Sequence, residues 1–166
     1  FNASATIGFS LPYLYGSGAV VLPSSGALAL SAATGTISGV ISGSGGFTIA
    51  AGELTLSGNN TYFGVTTVSA GRLTISSANA LGATGAATNI SSGASLVVDG
   101  LGSNLTIAEP LSLAGNGGSN LGALVVKNGN ATISGAIALV GNTIIAAENS
   151  AVELRLTGAI NGGYGL

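Results

Sequence analysis

The sequence contains no cysteine, methionine, tryptophan or histidine. These absences exclude disulfides, thiolate nucleophiles and imidazole general bases, and they remove most of the side chains that bind transition metals. A fold without disulfides has to be held by its backbone hydrogen bonds and its core. We therefore expect no catalytic residue of these types, no metal site and no cofactor.

Charge is also scarce, since eight charged residues make up 5% of the chain, whereas an ordinary globular domain carries about 25%. Three cations spread over a chain of net charge −2 cannot neutralise a run of phosphates, so we expect no nucleic-acid partner. The longest apolar runs, such as residues 136–140, fall far short of the roughly 18 residues that a membrane helix needs. We therefore expect no transmembrane helix.

Apolar residues alternate with small polar ones over three to five positions, as in the Leu-Thr-Leu of residues 54–56 and the Leu-Thr-Ile of residues 105–107. A period of two indicates strands with one buried face. Turn formers, such as the Ser-Gly-Asn-Asn of residues 57–60, lie between these runs. Because helical spacing with caps is absent throughout, the sequence predicts an all-β protein.

A glycine-led strand start recurs along the chain, and its copies begin at Gly26, Gly52, Gly71, Gly93 and Gly122. The average spacing, (122 − 26)/4, is about 24 residues, which lies within the range of solenoid repeats. Two or three short strands per repeat leave an apolar face uncovered, and stacking successive repeats buries these faces in one core. We predict a single-stranded parallel β-helix of about 24 residues per coil. A sandwich of antiparallel hairpins is the alternative.

One segment carries a family resemblance. Residues 52–75 read G-E-L-T-L-S-G-N-N-T-Y-F-G-V-T-T-V-S-A-G-R-L-T-I, and this stretch closely resembles the autotransporter-associated β-strand repeat. Residues 41–47 resemble its usual lead-in, and residues 78–82 and 93–96 its usual continuation. The resemblance implies a right-handed parallel β-helix in the passenger region of a large type V secreted protein, displayed outside the bacterial outer membrane. The family carries no conserved catalytic residues, so none is transferred.

The same segment has a plain physical interpretation. Gly58 and Gly71 permit turns with positive φ, and Asn59 and Asn60 can bond their own backbone. The motif therefore specifies shape rather than reactivity. Its alternating apolar residues are expected to point inward: Leu54, Leu56, Val68, Leu73 and Ile75.

Carboxylates are the remaining candidates for catalysis, because β-helix enzymes that act on polysaccharides use acidic clusters for acid–base work or calcium binding. Glu153 and Arg155 share one strand face, which predicts an exposed ion pair worth less than about 1 kcal/mol. Other charged residues can meet only across coils. We predict no enzyme and keep a glycan-active β-helix enzyme as a minor alternative. Its acidic groups would come from Glu53, Asp99, Glu109, Glu148 and Glu153.

Two glycine-rich stretches resemble ligand-binding motifs but lack the residues that would complete them. The Gly-Gly-Tyr-Gly of residues 162–165 lacks the aspartate of the glycine-rich calcium repeat. The Gly-Ser-Gly-Gly of residues 43–46 is followed by neither a helix-forming segment nor a lysine, so no helix N-terminus would face an anion. We predict turns at both places.

Half of the eight aromatic residues lie in the first fifteen positions, namely Phe1, Phe9, Tyr13 and Tyr15. This part of the chain breaks the repeat pattern, so we assign residues 1–18 to an N-terminal segment and residues 19–166 to the β-helix. The segment either caps the first coil, whose free N–H and C=O groups would template further pairing, or docks as a strand on a neighbouring molecule. The four aromatic residues are our candidate interface.

These observations predict a non-catalytic, extracellular structural or adhesin-type segment of a bacterial cell-surface or secreted protein. Such a rod projects a binding tip or a shielding surface, and its partner would be a host surface or a glycan. The alternative is a subunit of a self-assembling extracellular filament, in which the N-terminal segment joins copies head to tail into fibres.

Overall fold

The computed structural model describes residues 7–9, 14–24, 26–31 and 33–166. This part of the chain forms twenty short strands and no α-helix, with one turn of 3₁₀ helix at Gly118–Asn120. The strands are β1 (Ile7–Phe9), β2 (Leu14–Gly16), β3 (Val20–Leu22), β4 (Ala27–Leu30), β5 (Ala33–Ile37), β6 (Ile41–Gly43), β7 (Gly46–Ile49), β8 (Gly52–Leu56), β9 (Thr66–Val68), β10 (Gly71–Ile75), β11 (Thr88–Ile90), β12 (Ala94–Asp99), β13 (Leu105–Ile107), β14 (Leu111–Gly115), β15 (Leu124–Lys127), β16 (Ala131–Ile133), β17 (Ile137–Thr143), β18 (Ile145–Ala147), β19 (Leu154–Leu156) and β20 (Ile160–Asn161).

Every strand pairing in the described chain is parallel and joins successive coils. Sheet A has the order β1-β4-β7-β9-β11-β14-β17-β20, and sheet B has the order β18-β15-β12-β10-β8-β5-β2. The third face carries sheet C, β3-β6, and sheet D, β13-β16-β19. The chain winds from sheet A to sheet B, to the third face and back. The predicted parallel β-solenoid is confirmed, and the antiparallel sandwich is excluded.

The coils differ in length. Sheet A runs from residue 7 to residue 160 in seven steps, which gives an average of about 22 residues per coil, typical of a solenoid repeat. The shortest steps of sheet B are two equal ones, from Gly35 to Leu54 and from Leu54 to Leu73. The longest step joins Leu96 to Leu124, because a loop of residues 116–122 lies between β14 and β15.

The core consists of aliphatic columns that run along the solenoid axis, because residues at one register position stack in successive coils. Leu54 pairs with Leu73, Leu73 with Leu96, and Leu96 with Leu124. Each of these leucines is at most 1% exposed. Burial of one such side chain stabilises the fold by about 1.5–3 kcal/mol. The other residues predicted to point inward, Leu56, Val68 and Ile75, are also fully buried.

Glycine occupies the corners between faces because successive coils approach too closely there for a side chain. Gly71, which begins a sheet B strand, has a φ of +79°, and a Cβ on it would lie 2.1 Å from the carbonyl oxygen of Gly52. At the corner that precedes sheet A, a Cβ on Gly64 would lie 2.3 Å from the carbonyl of Gly45. Hydrogen-bonded coils therefore stack backbone on backbone at these turns.

Candidate functional site

The third face has no strand between β8 and β9. The Asn60 side chain adds there to backbone hydrogen bonds between coils, such as that from the N–H of Thr61 to the carbonyl oxygen of Ile41 at 2.8 Å. Asn60 is 3% exposed. Its Oδ1 accepts a hydrogen bond from the N–H of Ile41 at 2.8 Å, and its Nδ2 donates to the carbonyl oxygen of Ala80 at 2.6 Å. Ile41 belongs to the preceding coil and Ala80 to the following one. A single side-chain amide thus joins three consecutive coils.

Tyr62 fills the interior beside this amide. Its ring is fully buried, with its centroid 6.3 Å from that of Phe47 in a tilted arrangement. Its hydroxyl shares a 2.6 Å hydrogen bond with Thr66 Oγ1. Burial raises the pKa of Tyr62 well above its ordinary value, while the Thr66 hydrogen bond opposes part of the rise and the charge of Glu109 adds to it. The phenol therefore stays protonated and can act as the donor to Thr66.

Glu109 and Thr88 form an incomplete polar pair in the same interior. Glu109 is 4% exposed and Thr88 is fully buried. In the described part of the chain, Glu109 Oε2 and Thr88 Oγ1 are the two buried side-chain atoms without a hydrogen-bond partner. Burial raises the pKa of Glu109 from 4.5 to about 7, and the Thr88 hydroxyl opposes part of that rise. The two groups are thus close enough to interact, although the contact falls outside hydrogen-bond geometry.

Of the remaining acidic residues, Glu53, Asp99 and Glu148 line one groove on the outer face of sheet B, and Glu153 does not line it. Asp99 accepts hydrogen bonds from the N–H of Leu101 at 3.0 Å and from the Asn128 amide at 3.3 Å, so it holds a local turn. The predicted pair between Glu153 and Arg155 is confirmed. In the described chain the ion pairs are Glu53–Arg72 at 3.8 Å, Lys127–Glu148 at 4.0 Å and Glu153–Arg155 at 3.7 Å. Their side chains are at least 36% exposed, so each pair contributes less than about 1 kcal/mol.

A shallow groove of about 570 Å³ runs along the outer face of sheet B. Thr36, Thr55 and Thr74 stack along its floor in successive coils. Val97 and Val125 continue the same column. The Glu53–Arg72 pair lines the groove near the threonines, and the Lys127–Glu148 pair lines it near the valines. The groove is therefore polar at one end and partly apolar at the other.

The loop of residues 116–122 folds over the apolar end of this groove. Ser95 Oγ accepts a hydrogen bond from the N–H of Gly118 at 3.0 Å and donates to the carbonyl oxygen of Gly122 at 2.8 Å. Val97 is consequently 6% exposed even though it lies on the outer face of the sheet. Leu121 lines the groove and is half exposed.

The described C-terminal end of the solenoid leaves its apolar interior open. A pocket of about 480 Å³ lies there, and its lining is almost entirely aliphatic. The apolar residues around it are Ile144, Ile145, Ala146, Ala147, Leu154, Leu156 and Leu166. The last coil therefore presents a surface onto which a further coil could stack.

The predicted aromatic interface falls mostly outside the described residues. Phe1 and Tyr13 lie outside them, and for Phe9 only the strand is described. Tyr15 is 72% exposed and lines the groove on sheet B. β1 and β2 pair with β4 and β5 as the first rungs of sheets A and B. The role of residues 1–18 as a cap or docking strand stays a prediction.

Within the residues that the structure describes, no three acidic side chains come together in a way that could hold a metal ion. Nor does that part of the chain contain a helix long and apolar enough to cross a membrane.

Comparison with protein families identifies one segment of the chain. Residues 51–75 match the family described as passenger-associated-transport-repeat. This span runs from β8 through β10 and includes Asn60, Tyr62 and Thr66. The resemblance to an autotransporter repeat is therefore confirmed over these residues. Searches among curated proteins and among solved structures gave no match.

Proposed function

We propose that this chain, which carries a passenger-associated-transport-repeat in a parallel β-solenoid, is a structural segment of an exported bacterial passenger. One observation carries the proposal: the matched segment supplies the buried Asn60 that bonds the coil before it and the coil after it. The repeat thus acts as a joint between coils. Its place outside the cell is part of the proposal.

A rod is the shape that this architecture favours. Successive rungs of a β-sheet are about 4.8 Å apart, so the seven steps of sheet A extend the chain by about 34 Å. Because each coil contacts only its neighbours, further coils lengthen the rod without changing its cross-section. Such a segment would hold a binding surface away from its anchor.

The surroundings of the carboxylates support a non-catalytic role. Glu53, Glu148 and Glu153 are in exposed ion pairs, and Asp99 bonds a turn. Glu109 is buried in the interior. Acid–base catalysis on a glycan needs two carboxyl groups on either side of one bond. The three carboxylates that line the sheet B groove, those of Glu53, Asp99 and Glu148, each already have a partner.

The groove on sheet B is the surface that we assign to an adhesin role. Its threonine hydroxyls repeat at the spacing of the coils, and its charged side chains are already paired. We propose that it binds an extended polar polymer such as a glycan, which would lie along the solenoid axis. A glycan array tests this role. We expect the wild-type chain to bind, and we expect binding to be lost when Thr55 and Thr74 are both replaced by valine. Equal binding by both proteins would contradict it.

Export can be tested by placing the chain between a signal peptide and a translocator domain in a Gram-negative bacterium. We expect a folded chain that protease added to intact cells can reach. Deleting residues 131–153 removes one whole coil outside the matched repeat and keeps the register of the third face, so display should persist. A matched deletion of residues 131–141 removes part of a coil and should abolish the folded form. Retention of the wild-type chain inside the cell would overturn the proposal.

A filament subunit is the second candidate function, in which the apolar pocket of the last described coil would receive a second copy. A second copy that stacked on this end would bury the pocket lined by Leu154 and Leu156 in a contact that does not close on itself. Electron microscopy of the purified chain distinguishes the two functions, because fibres support the filament and separate short rods support the spacer. Replacing both leucines by lysine should prevent fibre growth.

A further inference from the structure

Glu109 occupies a position that the fold otherwise reserves for very small residues. It lies two residues before Leu111 of sheet A, at the corner where the third face ends. The strand registers place Gly64 and Ala86 at this corner in the two preceding coils, and Gly135 in the following one. A Cβ on Gly135 would lie 2.1 Å from the carbonyl oxygen of Glu109. The presence of a glutamate at a corner where successive coils approach so closely therefore needs an explanation.

The carboxyl group belongs to a short series of interior oxygens. Thr66 and Thr88 are paired positions on neighbouring rungs of sheet A. Tyr62 and Thr66 complete each other with a 2.6 Å hydrogen bond. Thr88 Oγ1 and Glu109 Oε2, on the next rungs, are both unpaired. The Tyr62–Thr66 half of the series is therefore hydrogen-bonded, whereas Thr88 Oγ1 and Glu109 Oε2 have no hydrogen-bond partner.

A charged carboxylate would have no counter-ion at this place. Every lysine and arginine of the sequence is in an exposed ion pair with another residue, namely Glu53, Glu148 or Glu153. In the described chain, Tyr62 is the titratable group that senses the Glu109 charge, and its phenol stays protonated. A buried, unpaired charge is strongly unfavourable, and such a group becomes neutral instead.

We propose that Glu109 and Thr88 form an internal proton-binding site. Folding takes up one proton from solvent, and the neutral carboxyl O–H donates to Thr88 Oγ1. Both unpaired oxygens then have a partner, and no charge remains in the interior. When the proton leaves, Thr88 can reverse its role and donate to the carboxylate. The site lies one coil beyond the matched repeat, between the rungs of β11 and β14, so the coils on either side of it are held most firmly in acid.

The direct test is a carboxyl-carbon NMR titration of the full chain. We expect one glutamate signal with a midpoint near pH 7, absent from Glu109→Gln. The affinity for the proton should exceed that of an ordinary glutamate by about 300-fold, the ratio that corresponds to the difference between 7 and 4.5. A Glu109 midpoint near 4.5 would overturn the proposal, since it would mean a hydrated carboxylate.

Two further measurements separate the proton from other occupants. The Thr88 hydroxyl can accept from the neutral carboxyl or donate to the carboxylate, and the second bond is the stronger because the acceptor is charged. Thr88→Val should therefore raise the midpoint, and an unchanged midpoint would remove Thr88 from the site. Sodium, potassium or calcium added at pH 8 should change the melting temperatures of the wild type and of Glu109→Gln by the same amount. A protective effect that needs Glu109 would identify a cation site and overturn the proposal. The titration of the wild type tests the proposal even if the Glu109→Gln variant fails to fold.

Discussion

Asn60 donates its side-chain N–H to the carbonyl oxygen of Ala80, 2.6 Å away and in the next coil. The amide oxygen of Asn60 accepts from the N–H of Ile41 in the coil before. Where the third face has no strand, this side chain provides one donor and one acceptor in addition to backbone bonds such as that from the N–H of Phe63 to the carbonyl oxygen of Gly43. The region that matches the transport repeat is thus held by side-chain as well as backbone hydrogen bonds.

Replacing Asn60 by alanine should destabilise the fold by about 2–4 kcal/mol, because it leaves a buried N–H and a buried C=O without partners. Urea unfolding followed by circular dichroism measures the change. Asn59→Ala is the matched control, since Asn59 is exposed and bonds Ser77 at the surface. We expect a change within about 0.5 kcal/mol for the control. Equal effects of the two substitutions would contradict the bridging role of Asn60.

Tyr62→Phe keeps the buried ring and removes the hydroxyl that bonds Thr66. We expect a loss of about 1–2 kcal/mol, since Thr66 Oγ1 is left unpaired in the core. Tyr164→Phe is the control, because Tyr164 is 55% exposed. Thermal unfolding of the two variants should show a lower melting temperature for the first alone. An unchanged melting temperature for Tyr62→Phe would mean that Thr66 finds another partner.

Gly64→Ala should prevent close stacking of two coils, because its Cβ would lie 2.3 Å from the backbone of Gly45. We expect destabilisation of about 3 kcal/mol or more, or failure to fold. Gly85→Ala places a Cβ in open space and should change stability by less than about 1 kcal/mol. Limited proteolysis of the two variants measures the difference. Equal resistance of the two variants to the protease would show that the corner can accommodate a methyl group.

The stability of the folded chain should depend on pH through Glu109. The folded-state pKa of about 7 lies above the ordinary value of 4.5, so the stabilising contribution is complete below pH 4.5 and is lost as the pH rises through 7. The greatest loss is about 3 kcal/mol. Urea unfolding at pH 5 and pH 8 should show this fall in wild type. The fall should disappear in Glu109→Gln and persist in Glu153→Gln, whose carboxylate is exposed.

The period-two alternation predicted the strands well, because it reports directly which side chains face a core. The length of each coil was harder to predict from the sequence. The predicted spacing was counted from Gly26, which precedes a sheet A strand, whereas Gly52 and Gly71 begin sheet B strands. A glycine marks a corner without identifying which of the three corners it is, so spacings measured between glycines mix the faces.

Two residues of the repeat show why local interpretation has limits. The positive φ predicted for Gly71 is confirmed at +79°, but Gly58 does not have one. Gly58 is required by close approach, since a Cβ there would lie 2.4 Å from the carbonyl oxygen of Gly39. Asn60 was expected to bond its own turn and instead bonds two other coils. In both cases a residue type that usually marks a local turn is required here by contacts between coils.

The burial of Glu109 was not predicted from the sequence, although a period of two was present. Leu105, Ile107, Leu111 and Leu113 occupy alternate positions that include 109, but a charged residue before Pro110 is also typical of an exposed turn. The successive steps of sheet A around it are unequal, so the position of a residue relative to the next coil cannot be counted from a fixed period. Only the strand registers of Thr88 and Leu111 place it in the corner.

The unequal coil lengths have a consequence for how the chain finds its register. In an array of identical repeats, any coil fits upon any other, and a winding chain can slip by a whole turn and still satisfy its hydrogen bonds. Here the short step from Leu54 to Leu73 and the long step that ends at Leu124 present different corners and different loops. A slipped turn would leave a loop without space or a corner without backbone, so irregular length itself directs each coil to its proper neighbour.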